Sequence, residues 1–150
     1  MPKYGANQGR QMTMPVSIAA TFLRGRPTVL DGGMGRELLR IGAPFRQPEW
    51  SALALWEGPE WVVQAHTNFI EAGAQMVTTN SYALVPFHIG EDRFASMGRD
   101  LADLSGRLAR TAASTATGIT VAASLPPLFG SYRPDLFDAA RAPELIDPLV

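Results

Sequence analysis

The chain has 150 residues, 46% of them hydrophobic and 18% charged, a composition typical of a globular domain with one packed core. Thirteen basic and fourteen acidic residues give a formal charge of −1, so no net field attracts nucleic acid or an anionic membrane. The sequence contains two histidines and no cysteine, which excludes disulfides, a thiol nucleophile and a cysteine-ligated metal within this chain.

Residues 1–25 are predicted to form a leader followed by a short capping helix. The apolar stretch 14–23 is shorter than the roughly 20 residues that a membrane span needs. The residues after it, Arg24 to Pro27, do not resemble a secretory cleavage site. We therefore expect a cytoplasmic protein, without a membrane or nucleic-acid partner, whose domain occupies residues 26–150.

Three short apolar runs, at 28–30, 75–79 and 118–124, predict β-strands. Each run ends in polar residues or in glycine and proline. Their nearly continuous apolar character is typical of strands that are covered on both faces, as in parallel sheets. We expect the three strands to be parallel, with their carboxyl ends on one face.

Helical periodicity separates these runs. Pro59 in a first turn and Gly73 after a last turn predict one helix between the first two runs. Its buried face is predicted to contain Val62, His66, Phe69 and Ile70. A second helix is predicted with an apolar stripe of Met97, Leu101, Leu104 and Leu108. A third helix is predicted to begin near Ala142.

The resulting order is β, α, β, α, β, α, which predicts an α/β fold with parallel strands and right-handed crossovers. An open doubly wound sheet and a closed barrel both have this order. Periodicity alone leaves the two open.

The first strand is followed by Asp31, Gly32 and Gly33, and this turn has three interpretations. An acid beside accessible backbone N–H groups can hold the ammonium and the carboxylate of an amino acid. Alternatively, the segment is a simple turn in which Asp31 caps the following helix. A phosphate loop is the third, although a carboxylate at this position repels a pyrophosphate.

Polar side chains also follow the second strand, at 78–82. Thr79, Asn80 and Tyr82 lie at the carboxyl end of a parallel strand, where barrel enzymes place their sites. Ordinary turn bonding is the alternative. His66 is predicted to pack on a helix face and His88 to lie in a loop, and neither is assigned a role.

Three segments in order carry a family resemblance: LDGGMGREL at 30–38, AGAQ at 72–75 with TTNSY at 78–82, and SLPPLFGSY at 124–132. Together they resemble the homocysteine S-methyltransferase family, especially its branch with S-methylmethionine-type donors. The resemblance implies a (β/α)8 TIM-type barrel, of which about three βα units are expected in this chain.

The resemblance also implies methyl transfer to homocysteine, which gives methionine, with homocysteine and the methyl donor as small-molecule partners. Asp31 and Gly32 then hold the amino-acid end of homocysteine, together with the neighbouring Gly33. Tyr82 lies beside the reacting groups, where its ring attracts a cationic donor. Thr79 and Asn80 complete the predicted substrate-binding set.

In that family zinc holds the homocysteine thiolate through cysteines of the later barrel, and this sequence has none. We therefore expect no metal ligand and no catalytic residue here, and an incomplete, inactive N-terminal part of the enzyme. Two alternatives remain open. One is a non-catalytic partial-barrel interaction module that self-associates through its open edge. The other is an open α/β phosphate or nucleotide binder.

Overall fold

The computed structural model describes residues 27–150, so the predicted leader and capping helix of residues 1–25 lie outside the described residues. The described elements are α1 (Met34–Ile41), α2 (Leu53–Glu57), α3 (Pro59–Glu71), β1 (Met76–Thr78), α4 (Pro86–Ile89), α5 (Glu91–Ala113), β2 (Thr120–Ala122) and α6 (Ala142–Ile146). Single 3₁₀ turns occur at Pro134–Leu136 and Asp147–Leu149.

The two strands pair in parallel, with Val77 opposite Val121. The mixed α/β class and the parallel direction are therefore as predicted. The first apolar run contributes one parallel bridge, Leu30 opposite Met76, instead of a full strand. Next to this bridge the side chain of Gln75 accepts the N–H of Val29 at 3.2 Å. Three complete βα units thus stay a prediction.

Helix α3 begins and ends as its sequence predicts. Pro59 occupies the first turn, and Gly73 follows the last turn with φ of 103°, a value that favours glycine. The N–H of Gly73 donates to Ile70 O at 2.9 Å and that of Ala74 to Phe69 O at 2.9 Å, which forms a Schellman cap. Of its predicted buried face, Val62 and His66 are fully buried and the other two residues half-buried.

The predicted stripe of α5 is only partly buried, and Leu101 is its one fully buried member. The fully buried residues of the helix are Phe94, Gly98, Leu101, Ser105, Ala109 and Ala112. Met97 is 40% exposed, while Leu104 and Leu108 pack only partly against the core. The reason is close packing: α5 lies along α3, so small residues occupy the contact and the larger leucines lie at its rim. Helix α6 begins at Ala142, as predicted.

The core lies between the first three helices and α5, and it includes Leu38, Leu55, Val62, Leu84 and Leu101. Burial of these side chains fixes the helices against one another. Because the strands are parallel, their carboxyl ends meet at one edge together with the loops that follow. No helix within residues 27–150 combines the length and the apolar character needed to cross a bilayer.

Candidate functional site

Asp31 joins the first extended segment to the end of β1. Its N–H donates to Met76 O at 3.0 Å. Its carboxylate accepts the N–H of Thr78 at 2.6 Å through one oxygen and the Thr78 hydroxyl at 3.0 Å through the other. The interpretation of Asp31 as a helix cap is wrong, because α1 has Gly33 at its N-cap and no side-chain cap. The carboxylate keeps free lone pairs beyond its two bonds to Thr78.

Gly32 and Gly33 lie between Asp31 and α1. A Cβ atom on Gly32 would approach Cε1 of Phe69 to 2.9 Å, so a side chain here would press on that ring. The carbonyl of Gly33 accepts the N–H groups of Arg36 and Glu37, which starts the helix. No side chain caps the first N–H groups of α1, which begins three residues after Asp31.

Thr79 belongs to a closed hydrogen-bond cycle that we call the hydroxyl cycle (Thr79, Ser81 and Ser124). The N–H of Ser124 donates to Thr79 Oγ1 at 3.0 Å, and the Ser81 hydroxyl donates to Ser124 O at 2.8 Å. Since the Ser81 proton is used in that bond, the Thr79 hydroxyl donates to Ser81 Oγ across 2.8 Å. The cycle fastens the loop after β2 to the end of β1.

Asn80 is buried, with 2% of its surface exposed. Its Nδ2 donates to the carbonyl of Ser51 at 2.8 Å, which attaches the end of β1 to the loop before α2. Its Oδ1 exposes less than 1 Å² and has no hydrogen-bond partner within the described residues.

Two cavities meet at this edge of the sheet. The acid pocket, of about 230 Å³, is lined by Asp31, Gly32, Met34, Ser51, Thr78, Thr79, Asn80, Tyr82 and Ser124. The aromatic pocket, of about 450 Å³, is lined by Gly35, Phe45, Trp50, Ser51, Tyr82, Ala83, Phe87, His88, Ser131 and Tyr132. Ser51 and Tyr82 form a wall common to both. Five of the six predicted site residues thus line one pocket, and Gly33 lies just outside it.

Sequence reasoning missed the loop between α1 and α2. Trp50 and Ser51 lie in it, and Trp50 packs edge-on against Phe45 with ring centroids 5.9 Å apart. No strand or motif precedes them in the sequence, so the local signal was only a tryptophan followed by a serine. Thr78, the partner of Asp31, was adjacent to the predicted residues but was not among them.

Tyr82 is 48% exposed, and its hydroxyl lies 2.9 Å from Ser131 Oγ in the loop after β2. The phenol ring is thereby held between the two pockets. This position is compatible with the predicted attraction of a cation to its π face. The role of each predicted residue towards a ligand stays a prediction.

The two histidines differ in their surroundings. His66 is fully buried on α3, as predicted, and burial lowers its pKa to about 4 while the Asp31 carboxylate acts in the opposite direction. Both of its ring nitrogens lack hydrogen-bond partners among residues 27–150. His88 lies in α4 rather than in a loop, with Nδ1 3.2 Å from Pro48 O, and burial lowers its pKa.

A thiolate zinc site does not fit this chain. The sequence contains no cysteine. Among the residues that the structure describes, no group of three or more His, Asp or Glu side chains is placed to hold a metal ion. His66 is fully buried and lines neither pocket. The zinc ion that the resemblance implies therefore has no ligand set here.

The chain is similar to known methyltransferases. It matches the homocysteine S-methyltransferase family model over residues 28–145. The crystal structure of the homocysteine methyltransferase MmuM from Escherichia coli, in its metallated form, superposes with a TM-score of 0.69 at 29% identity. That match covers 91% of this chain and 52% of MmuM.

Curated relatives match over shorter stretches. Homocysteine S-methyltransferase 1 of Zea mays is 35% identical over 85 residues, which are 56% of this chain and 26% of the relative. Selenocysteine methyltransferase of Astragalus bisulcatus is 38% identical over 71 residues, which are 47% of this chain and 21% of the relative.

Fold and sequence thus define a mixed α/β protein of the methyltransferase class. The chain belongs to the homocysteine S-methyltransferase family. It spans about half the length of the solved relative and about a quarter or less of the curated relatives.

Proposed function

We propose that this chain binds homocysteine and a sulfonium methyl donor of the S-methylmethionine type for methyl transfer between them. The observation that carries the proposal is the shared wall: Ser51 and Tyr82 line both the acid pocket and the aromatic pocket. Because the two pockets share these lining residues they adjoin, so ligands in them would be neighbours, as a direct displacement between two substrates needs.

The acid pocket suits the amino-acid end of homocysteine. The Asp31 carboxylate accepts the substrate ammonium with the lone pairs that Thr78 leaves free. The uncapped N–H groups at the start of α1 donate to the substrate carboxylate, since a helix N-terminus attracts an anion. Gly32 leaves this backbone accessible.

The aromatic pocket suits the donor. Among the described residues its lining contains five aromatic side chains other than histidine, at Phe45, Trp50, Tyr82, Phe87 and Tyr132. It contains no carboxylate, and His88 is its one basic side chain. A sulfonium cation is attracted to such π faces without an ion pair. In the full-length enzyme the homocysteine sulfur would attack the donor methyl carbon, and the bond from that carbon to the sulfonium sulfur would break. The thiol proton passes to solvent, and both sulfur compounds leave as neutral thioethers.

We further propose that the described strands are part of a (β/α)8 barrel and that the 150-residue chain binds without turning over. In the full-length enzyme of this family zinc is expected to hold the thiolate. Because the sequence has no cysteine, the cysteine ligands of the zinc ion would have to come from residues outside these 150. The substrates are water-soluble, and we expect the reaction in the cytoplasm.

The test is a titration of the chain with L-homocysteine, followed by calorimetry or amide chemical shifts. Asp31→Asn removes the charge that the ammonium needs, and the affinity for homocysteine should fall about tenfold or more. Thr78→Val is the matched control, because it removes the hydroxyl bond to Asp31 and keeps the carboxylate. Equal affinities of Asp31→Asn and the wild type would contradict the proposal.

An interaction module is the second candidate, favoured by the exposed sheet edge. Val29 and Leu30 are 51% and 58% exposed on one side, and Leu125 is 57% exposed beyond β2. Unpaired strand edges with apolar side chains recruit further strands. Sedimentation of the chain tests this, since concentration-dependent dimers that bind neither substrate would favour it. Binding of ATP in preference to homocysteine would favour the nucleotide alternative.

A further inference from the structure

Asn80 is attached to the loop that forms the wall between the pockets. Its Nδ2 donates to Ser51 O at 2.8 Å across 29 positions of sequence. Ser51 is itself 8% exposed, so this bond is shielded from competing water. The Oδ1 atom of Asn80 exposes less than 1 Å², which leaves little surface for a ligand to touch. The amide is therefore placed to hold the loop rather than a substrate.

The residue next to this attachment has an unusual backbone. Trp50 has φ of 50°, in the left-handed region that bulky side chains rarely adopt. Such a conformation persists only where the surroundings hold it. Here the N–H of Trp50 donates to Arg46 O at 2.7 Å on one side, and Asn80 holds the carbonyl of the following residue on the other.

Trp50 lines the aromatic pocket, and its indole packs against Phe45. We propose that Asn80 is a positioning residue for the donor: it lies in the acid pocket but acts on the aromatic pocket by holding Trp50 in its left-handed conformation. This inference rests on the proposed function. Without the amide, Trp50 relaxes to negative φ, and its indole leaves the wall of the aromatic pocket.

The test measures two affinities in each variant, for S-methylmethionine and for L-homocysteine. Asn80→Ala deletes the amide, and Asn80→Asp keeps its size but replaces the Nδ2 donor with an oxygen. Both variants should weaken S-methylmethionine binding about tenfold or more and change homocysteine binding less than about threefold. Gln64→Ala is the matched control, because it deletes an amide donor whose bond to Asn68 on α3 lies outside both pockets, and it should leave both affinities within about threefold.

Retained homocysteine binding shows that a variant is folded. The resonance of the Trp50 indole N–H, assigned with Trp50→Phe, reports the ring directly and should shift in both Asn80 variants. Weaker homocysteine binding with unchanged S-methylmethionine binding would overturn the inference in favour of direct substrate contact. If the wild type binds neither compound, the proposed function fails. In that case the Trp50 indole resonance still tests the role of Asn80. A resonance that neither Asn80 variant shifts would overturn the proposed positioning role.

Discussion

His66 should make the chain sensitive to mild acid. The imidazole is fully buried on α3, and its two nitrogens have no partners within residues 27–150. Burial penalises the charged ring and lowers its pKa from 6.5 to about 4. Above pH 6.5 the ring is neutral in both the folded and the unfolded chain. Below pH 6.5 the unfolded chain takes up the proton first, so the free energy of unfolding falls as the pH falls towards 4.

The size of this effect follows from the two pKa values. Each pKa unit corresponds to 1.36 kcal/mol, so the loss between pH 6.5 and pH 4 is about 3 kcal/mol. A domain of this length is typically stable by about 5–15 kcal/mol, so the loss is a large share. His88 adds to it in the same direction, because its pKa is also lowered. The carboxylate of Glu37 acts only at lower pH, since its hydrogen bond from Arg40 lowers its pKa to about 2.

Urea unfolding at half-unit steps from pH 7.5 to pH 4.5 measures this dependence. His66→Phe removes the titration and two unsatisfied nitrogens, so its free energy of unfolding should change far less with pH than that of the wild type. His66→Leu separates loss of titration from a change in ring packing. His88→Gln is the control at the other histidine. Equal slopes for the wild type and both His66 variants would refute a buried neutral His66.

Two further predictions concern the edge of the sheet. Gly32→Ala should lower the free energy of unfolding by about 1–3 kcal/mol, because the new Cβ presses on Phe69. Gly106→Ala in α5 is its control. The new methyl group there has open space and should raise the free energy of unfolding by about 0.5–1 kcal/mol. Thermal melts of the two variants compare them, and a destabilised Gly106→Ala would argue against the described packing. Thr79→Val should loosen the loop at Ser124 by breaking the hydroxyl cycle, seen as faster amide exchange of Ser124 at a cost of about 1–2 kcal/mol. Unchanged exchange there would contradict the cycle.

Local signals in the sequence predicted the parts of the fold that local chemistry controls. Pro59 and Gly73 mark the ends of α3 because each has a backbone constraint that needs no distant partner. The stripe of α5 is less buried than its leucines predict, because large side chains are fully buried only where the facing helix leaves room. Close contact with α3 instead favours Gly98 and Ala109, which periodicity ranks low.

The site was predictable where it follows strand ends. Asp31 and Tyr82 follow two neighbouring parallel segments, and parallel strands bring their carboxyl ends to one edge. Trp50 and Ser51 follow a helix and a loop, so nothing in their local sequence shows that a tertiary hydrogen bond from Asn80 brings them there. Long-range contacts of this kind depend on the whole packing and are not encoded in a short window.

The wall of Ser51 and Tyr82 also has a thermodynamic meaning. Two ligands that contact the same side chains are coupled through them. If one ligand changes the affinity for the other by some factor, the second changes the affinity for the first by the same factor. If the first ligand immobilises Tyr82 against Ser131, the second ligand binds a surface that is already ordered. Its binding then costs less conformational entropy. Binding would then be cooperative without any movement of the backbone, and under the proposed function homocysteine and the donor would each raise the affinity for the other.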